Sequence, residues 1–276
     1  MIKKIRNFIA QILTFPKQIK DLLIDNYLQT NLFNNPKYIL SERLNKYEFQ
    51  VFSQNGEDGI IEEIFNRIGI TNKFFVEFGV EDGLETNTTY LLYNNWHGLW
   101  LEGSGKFVKK IRKNFINVID KQLSVRETFI TAENIEEIFL NKNVPKDLDL
   151  LSIDIDGNDY YVWNAIKNYN PRVVIIEYNS SIRPNIEWRM KYNPTHVWDG
   201  SMYFNSSLKS LEVLGNEKGY KLVGCTFNGT NAFFVRNDLV KGNFGDNFTA
   251  EYHYEPARYF LIKKDGHRRG FGEWSK

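Results

Sequence analysis

The sequence predicts an α/β fold in which helices cover both faces of a mostly parallel sheet. Five short apolar runs alternate with helix-like segments between Phe74 and Tyr178, the order expected of a parallel sheet built from βα units. Two further apolar runs follow on either side of Asn228-Gly229, and Asn-Gly between two such runs is the strongest short signal for a hairpin. Together they predict seven strands, with one antiparallel strand placed near the end of the sheet.

The composition suits one large domain and excludes several classes of protein. The chain has 276 residues, of which 42% are hydrophobic, so it can bury a substantial core. A formal net charge of +1 gives no general case for nucleic-acid binding. The single cysteine, Cys225, excludes an intramolecular disulfide framework and a cysteine-only zinc site, and it suits the cytoplasm. No apolar run reaches the ~18 residues of a membrane span, and we expect no signal peptide.

Residues 1–50 are predicted to form a helical appendage. Apolar residues recur at helical spacing from Ile2 to Leu13, and again from Ile19 to Leu28 beyond Pro16. Basic residues outnumber acidic ones in this segment. Packing of residues 2–28 on the main domain or on a second subunit is the commoner use of such helices. The alternative is a peripheral contact with the inner face of an anionic membrane.

The main domain is predicted to span residues 51–240, and its first half contains three βα units. The run Phe74–Gly79 is a short apolar strand that ends in a charge and a glycine. The hydroxyl-rich Thr86–Thr88 marks the start of a helix within Leu84–Asn94. The strand Gly98–Glu102, the basic helix Phe107–Asn114, the strand Leu123–Thr131 and the helix Ile135–Leu140 follow.

The second half of the domain contains the remaining strands and a long insert. The strand Leu148–Asp154 precedes the helix Tyr160–Ile166, and Arg172–Tyr178 is β-branched in its middle, as expected for a strand covered on both faces. Residues 180–208 form an insert too long for a simple connection, and such inserts are often binding loops. The domain closes with the helix Leu208–Lys218 and the strands Tyr220–Phe227 and Thr230–Arg236. Residues 241–276 form an aromatic and basic tail.

The loop after the first strand predicts a cationic or zwitterionic ligand. Gly79 and Gly83 let the backbone turn tightly and approach a ligand, as in dinucleotide sites. The middle glycine of the dinucleotide motif is missing, however, and Glu81 and Asp82 occupy the turn. Carboxylates there repel a pyrophosphate but accept bonds from an ammonium group. Glu77 belongs to the same segment.

Two further acids are candidate contacts to a nucleoside. Glu102 ends the second strand 23 residues after Gly79, near the distance at which an acid commonly binds ribose hydroxyls. Glu133 follows the third strand, in a segment that can contact an adenine ring or cap the next helix.

Polar residues gather after the fourth and fifth strands. In a parallel sheet these ends are neighbours, so Asp154, Asp156, Glu177 and Asn179 should converge. Several oxygen ligands at one point suit a hard cation such as Mg²⁺. The alternative is a general base with a raised pKa at Asp154 or Asp156. Asp159 is expected to cap the next helix.

The insert adds one candidate base. His196 lies in the segment YNPTHVWDGSMYF, and histidine is a common general base in enzymes. With Asp154 and Asp156 it completes the predicted set of catalytic residues.

These segments resemble the FkbM-type methyltransferases, dependent on S-adenosylmethionine, of bacterial surface-polysaccharide gene clusters. The matching segments are SQNGED (Ser53–Asp58), FVEFGVEDGLETNT (Phe75–Thr88), GLWLEGS (Gly98–Ser104), LSIDIDGNDYYVW (Leu151–Trp163), VIIEYN (Val174–Asn179) and the hairpin. The resemblance covers about residues 50–240. It implies a Rossmann-like class I methyltransferase fold in a cytoplasmic protein.

The resemblance also implies a function and a cofactor site. It implies O-methylation of a sugar hydroxyl, or of a sugar-linked phosphate or phosphoramidate, on a small or glycan-linked substrate in capsule or lipopolysaccharide assembly. It further implies S-adenosylmethionine bound by the loop Glu77–Gly83 and by Glu102, with Gln54, Glu57 and Asp58 closing over it. The acids on the fourth and fifth strands are similar to those of Mg²⁺-dependent O-methyltransferases. The alternatives are an NAD(P)-dependent oxidoreductase on a related fold and a partner-binding protein without activity.

Overall fold

Seven strands form one sheet in the computed structural model, which describes residues 15–16, 18–261 and 269–272. Their order across the sheet is β3-β2-β1-β4-β5-β7-β6. The first five strands pair in parallel, and β7 runs antiparallel between β5 and β6. The strands are β1 (Phe74–Phe78), β2 (His97–Glu102), β3 (Leu123–Glu127), β4 (Leu150–Ile153), β5 (Val173–Glu177), β6 (Tyr220–Cys225) and β7 (Asn231–Arg236). The predicted Rossmann-like architecture, a mostly parallel seven-stranded sheet with an antiparallel strand near its end, is confirmed.

Helices cover both faces of this sheet. In β5, Val174 and Ile176 face the layer that holds α6, α7 and α8, whereas Val173 and Ile175 face the layer that holds α3, α4 and α5. All four are fully buried, which explains the β-branched run in the sequence. The helices are α1 (residues 18–28), α2 (Pro36–Ile39), α3 (Glu57–Ile68), α4 (Thr89–Tyr93), α5 (Gly105–Asn114), α6 (Ile135–Asn141), α7 (Asp159–Ala165), α8 (Leu208–Glu217), α9 (Asn237–Val240) and α10 (Ala250–His253).

Among the predicted elements, two are shortened most in the structure. β3 ends at Glu127 rather than at Thr131, because β2 is its partner and the pairing stops at Glu102 opposite Glu127. The predicted helix Leu84–Asn94 begins only at Thr89. The residues before it are held in a loop by hydrogen bonds to β1, which are described with the candidate site.

The N-terminal segment packs on the turn of the hairpin. Ile24, Leu32 and Tyr38 form a small buried cluster with Phe227 and Leu261. On the other side of α1, the apolar side chains Ile19, Leu22 and Leu23 are exposed. The predicted helix between Ile2 and Leu13 lies outside the described residues, and a membrane or dimer contact through residues 2–28 stays a prediction. Within residues 18–261, no helix has the length and apolar content needed to cross a membrane.

Glu255 ties the N-terminal and C-terminal segments together. This fully buried carboxylate accepts hydrogen bonds from the hydroxyl of Tyr38 at 2.8 Å and from Lys37 and Arg258 at 2.8 Å each. We expect Glu255→Ala to lower the free energy of unfolding by about 2 kcal/mol, since it removes several charged hydrogen bonds at once. Urea denaturation measures the change. Glu251→Ala, which removes an exposed carboxylate 3.5 Å from Lys209, is the control, and an equal loss in both variants would contradict the prediction.

Candidate functional site

A cavity of about 1200 Å³ opens at the carboxyl ends of β1, β4 and β5. These strands are neighbours in the sheet, and open α/β sheets bind their ligands at this edge. The insert 180–208 contributes Trp198, Met202 and Phe204 to the wall, and Gln54 and Asn55 contribute from the loop before α3. The volume exceeds the ~300–1000 Å³ of an ordinary small-molecule site. It is therefore large enough for a cofactor and an acceptor together.

The cavity wall is strongly acidic. Arg269 is its basic member among the described residues, and it donates to the carbonyl oxygen of Phe52. The acids are Glu57, Glu77, Glu81, Asp82, Glu85, Asp154, Asp156 and Glu177. Such a lining attracts cations and repels phosphate groups.

Gly79 is required where the loop after β1 passes the end of β4. Its φ is +69°, and a Cβ atom there would lie 1.8 Å from the carbonyl oxygen of Asp154. Gly83 also has a positive φ, of +80°, but a Cβ atom would meet the rings of Trp100 and Phe115. Of the two predicted glycines, Gly79 therefore lies on the cavity wall, whereas Gly83 allows close packing beneath the loop.

Glu77 shapes the loop between β1 and α4. Its buried carboxylate accepts hydrogen bonds from the backbone N–H groups of Asn87 at 2.9 Å and Thr88 at 3.1 Å, and from the hydroxyl groups of Thr88 and Ser152. These bonds keep residues 87 and 88 out of the helix that follows. Burial raises the pKa of Glu77 to about 7, although the hydrogen bonds from Thr88 and Asn87 oppose the shift. The side chain lines the cavity and also holds its wall in shape.

The raised pKa of Glu77 predicts a pH dependence of stability. Because its pKa rises from 4.5 in the unfolded chain to about 7 in the folded one, the native state binds more protons between these values. The free energy of unfolding should therefore fall as the pH rises from 4.5 to 7. Burial also raises the pKa values of Asp58 and Asp159, to about 6 each, and these shifts act in the same direction below that pH.

Urea denaturation at a series of pH values tests this dependence. The fall in stability between pH 6 and pH 7 should be smaller in Glu77→Gln than in the wild type, whatever the absolute stability of the variant. An unchanged fall would show that Glu77 does not take up the proton. Glu63→Gln is the control, because Glu63 lies in α3, where it pairs with Arg67, and it is not on the cavity wall.

The two acids predicted to contact a nucleoside are placed differently. Glu102 is buried at the end of β2, where its carboxylate accepts hydrogen bonds from the backbone N–H groups of Glu81 at 2.9 Å and Ser104 at 2.7 Å. It thus fixes the loop after β1, and its contact with a ribose stays a prediction. Glu133 is exposed, accepts a hydrogen bond from the hydroxyl of Tyr192, and does not lie on the cavity wall.

Of the three residues predicted to close over the cofactor near the start of α3, two reach the cavity. Gln54 and Glu57 line the wall. The carboxylate of Glu57 accepts hydrogen bonds from the backbone N–H of Asn55 and from the side-chain amide of Asn231, both at 2.8 Å. Asp58 instead accepts the backbone N–H groups of residues 51–53, so it shapes this loop from behind.

Three of the four predicted metal ligands converge. Carboxylate oxygens of Asp154, Asp156 and Glu177 lie within 4.8 Å of one another, and we call this group the carboxylate trio. Burial, followed by the negative charges of Asp156 and Asp159, raises the pKa of Asp154 well above its usual range. Burial, followed by the negative charge of Asp154, also raises the pKa of Glu177 well above its usual range. Like charges this close favour protonation of at least one member.

Asn179 and Asp159 do not belong to the trio. The side-chain amide of Asn179 donates to the carbonyl oxygens of Met202 at 2.9 Å and Phe204 at 3.1 Å, so it holds the end of the insert. Asp159 accepts the backbone N–H groups of Ile155 and Gly157, both at 3.0 Å. It therefore shapes the turn that presents Asp156, whose φ is +56°.

His196 lies beside the trio but not on the cavity wall. Its ring packs on Gly157, where a Cβ atom would lie 2.4 Å from Cδ2. Nε2 is buried without a hydrogen-bond partner, and the charge of His196 lowers the pKa of Asp156 against the rise caused by burial. A direct proton transfer from an acceptor to His196 stays a prediction.

Two residues that bind acids of the site were not predicted from the sequence. Asn231 and Asn205 donate their side-chain amides to Glu57 and Glu177 respectively. Arg269, which was predicted only as part of the basic tail, reaches the wall from the C-terminal segment. The register of the hairpin offered a signal for Asn231, since it is opposite Glu177 in the pairing of β5 and β7.

No family model matches the chain, and no curated protein matches it. Solved structures with a similar fold include methyltransferases. A Staphylococcus aureus protein described as a caffeoyl-CoA O-methyltransferase has 15% identity and a TM-score of 0.48, over 79% of this chain and 99% of its own. Magnesium protoporphyrin IX methyltransferase (ChlM) of Synechocystis, with bound S-adenosylhomocysteine, has 10% identity and a TM-score of 0.44, over 65% and 81%.

A third such structure is an S-adenosylmethionine-dependent methyltransferase from Clostridium acetobutylicum. It has 12% identity and a TM-score of 0.40, over 65% of this chain and 90% of its own. Because these sequence identities are low, the fold class is assigned from the strand order of this chain's own sheet.

Proposed function

We propose that this chain is an S-adenosylmethionine-dependent O-methyltransferase that acts on a sugar hydroxyl during assembly of a bacterial capsule or lipopolysaccharide. The observation that carries the proposal is the carboxylate trio in a large cavity, at the carboxyl ends of the strands, where open α/β sheets bind their ligands. The resemblance of residues 50–240 to FkbM-type enzymes supports the surface-polysaccharide context.

The cavity fits the proposed cofactor. Bound S-adenosylmethionine supplies a methyl group on a positively charged sulfur. Gly79 lets the backbone approach a ligand, and Glu81 and Asp82 offer carboxylates to positive groups. The same two acids disfavour an NAD(P)-dependent oxidoreductase, because they repel the pyrophosphate of a dinucleotide. A partner-binding protein without activity would have no use for the closely spaced carboxylate trio.

The trio can activate an acceptor hydroxyl by taking its proton. A carboxylate with a raised pKa is a stronger base, and a base with a pKa near the working pH is the most effective in proton transfer. We assign this role to Asp154, because its carboxylate belongs to the trio on the cavity wall and because burial and neighbouring negative charges raise its pKa. The cofactor would supply the methyl group to the hydroxyl oxygen, and Asp154 would hold the proton that the hydroxyl loses.

Mg²⁺ is the alternative occupant of the same carboxylates. Magnesium takes about six oxygen ligands at ~2.0–2.1 Å, and Asn179, the fourth predicted ligand, is bound to the backbone of the insert. Protein ligands alone would therefore leave half of the shell to water or substrate. Mg²⁺ usually keeps several of its waters, so the trio also fits a metal, and the dependence of transfer on Mg²⁺ distinguishes metal activation from proton transfer to Asp154.

A transfer experiment tests the proposal. The protein is incubated with S-adenosylmethionine carrying a labelled methyl group and with undermethylated capsule and lipopolysaccharide fractions. We expect label in a sugar methyl ether after hydrolysis, at the same rate with and without EDTA. Label in no fraction, although the protein binds the cofactor, would overturn the assigned acceptor, and loss of transfer in EDTA that Mg²⁺ restores would replace proton transfer to Asp154 by metal activation.

A further inference from the structure

We infer that the acceptor is an amino sugar with a free amine, whose ammonium group binds between the carboxylate trio and Asn231. The inference rests on the proposed function and names the substrate class of the same cavity. Such a site would bind a sugar with an ammonium group in preference to a neutral or a phosphorylated sugar.

The charges of the cavity favour a positive acceptor. Eight acidic residues line it against Arg269 among the described residues, and Arg269 lies 3.8 Å from Glu85. Bound S-adenosylmethionine brings a net charge of only +1, since its carboxylate offsets one of its two positive groups. A negative potential therefore remains at the acceptor end, where a phosphate would be repelled and an ammonium group attracted.

Asn231 supplies an acceptor atom that has no donor. The residue is only 4% exposed, lines the cavity and is opposite Glu177 in the pairing of β5 and β7. Its amide donates to Glu57 at 2.8 Å, whereas its Oδ1 is buried without a partner. Buried polar atoms are normally hydrogen-bonded, and Oδ1 can accept a hydrogen bond from a donor that binds at this part of the wall. An ammonium group carries three donors and no acceptor, which suits this oxygen and the carboxylates next to it.

The remaining wall suits an organic cation better than a bare metal ion. Trp198 and Tyr259 line the same cavity, and both are partly exposed. Aromatic faces attract ammonium groups and stack on the apolar faces of sugar rings. Asn205 fixes the orientation of the Glu177 carboxylate through its side-chain amide.

Binding to the protein saturated with S-adenosylhomocysteine tests the inference. The probes are glucosamine and galactosamine, their N-acetylated forms, and glucose 6-phosphate, each measured by saturation-transfer NMR and calorimetry without divalent ions. We expect at least one amine to bind about tenfold more tightly than its N-acetylated form, the effect of one charged hydrogen bond. In Asp156→Asn the preference should fall to about threefold or less. Asparagine tolerates the left-handed conformation of residue 156, so this variant should fold.

The controls separate failure of the inference from failure of the proposed function. Glu177→Gln should repeat the effect of Asp156→Asn, whereas Glu187→Gln, an exposed position of the same insert, should keep the preference. Equal binding of amines and N-acetylated sugars, or tighter binding of glucose 6-phosphate once Mg²⁺ is added, would overturn the inference while cofactor binding persists. If S-adenosylhomocysteine itself does not bind, the proposed function fails, and this inference fails with it.

Discussion

Asp149→Ala is expected to lower the free energy of unfolding by about 3–5 kcal/mol, because it leaves a buried arginine without its counter-charge. Asp149 is fully buried and lies 2.7 Å from the guanidinium of Arg172, which is itself nearly buried. The carboxylate also accepts backbone N–H groups from Thr71, Asn72 and Lys73. It thus joins the residues that precede β1, β4 and β5, at the edge of the sheet opposite the cavity.

Urea denaturation of the wild type and of Asp149→Ala, monitored by circular dichroism, measures this loss. Asp238→Ala is the matched control, since Asp238 pairs with Arg236 at 2.7 Å but is more than half exposed, and such pairs contribute at most about 1 kcal/mol. Equal destabilisation by the two variants would contradict the role given to burial. The folded fraction of Asp149→Ala should still bind the cofactor, because the carboxylate is remote from the cavity wall.

Asp154→Asn is expected to lower kcat for methyl transfer by about 10²–10⁴, the range by which a positioned general base accelerates proton transfer. Asparagine keeps the size of the side chain and cannot accept the proton. It also removes one charge from the carboxylate trio, which should shift the pKa of Glu177 toward its usual value, since the charge of Asp154 is one cause of its rise. Steady-state kinetics with labelled cofactor measure the change in kcat.

Asp147→Asn is the control for this prediction. Asp147 is exposed and precedes the same strand, β4, at its other end, so its variant should retain the kcat of the wild type. Cofactor binding by Asp154→Asn should be measured in parallel to separate a lost base from a lost ligand contact. Undiminished kcat in Asp154→Asn would remove this residue from the catalytic set.

The fold could be predicted from the sequence because its signals are local. Alternating apolar runs and the Asn228-Gly229 turn depend on neighbouring residues alone, and they specify seven strands and their approximate order. The ends of elements depend on partners that are distant in the chain. β3 stops where its pairing with β2 ends at Glu102, and α4 starts late because Glu77 binds the preceding backbone.

Part of the candidate site could also be predicted from the sequence, because the order of the strands alone brings some of its residues together. Asp154, Asp156 and Glu177 follow neighbouring strands, so the order of the sheet alone brings them together. Asn179 also follows β5, but its amide is taken by the backbone of the insert, a contact that no pattern in the sequence indicates. Glu133 was placed near the cofactor from its position after a strand, and the turn there directs it toward Tyr192 instead.

Residues that reach the cavity from distant segments could not be anticipated. Arg269 arrives from the C-terminal segment, and Asn205 reaches Glu177 from the end of the insert. Both depend on how long connections fold over the sheet, which periodicity does not encode.

Isothermal titration calorimetry with S-adenosylmethionine and NADH, each with and without Mg²⁺, tests whether the cavity binds S-adenosylmethionine. The full chain should bind S-adenosylmethionine at one site whether or not Mg²⁺ is present, and it should not bind NADH measurably, because Glu81 and Asp82 repel a pyrophosphate. Binding of NADH alone would contradict the account and assign the cavity to a dinucleotide. Binding of neither compound would contradict it as well, and would favour a partner-binding role for this fold.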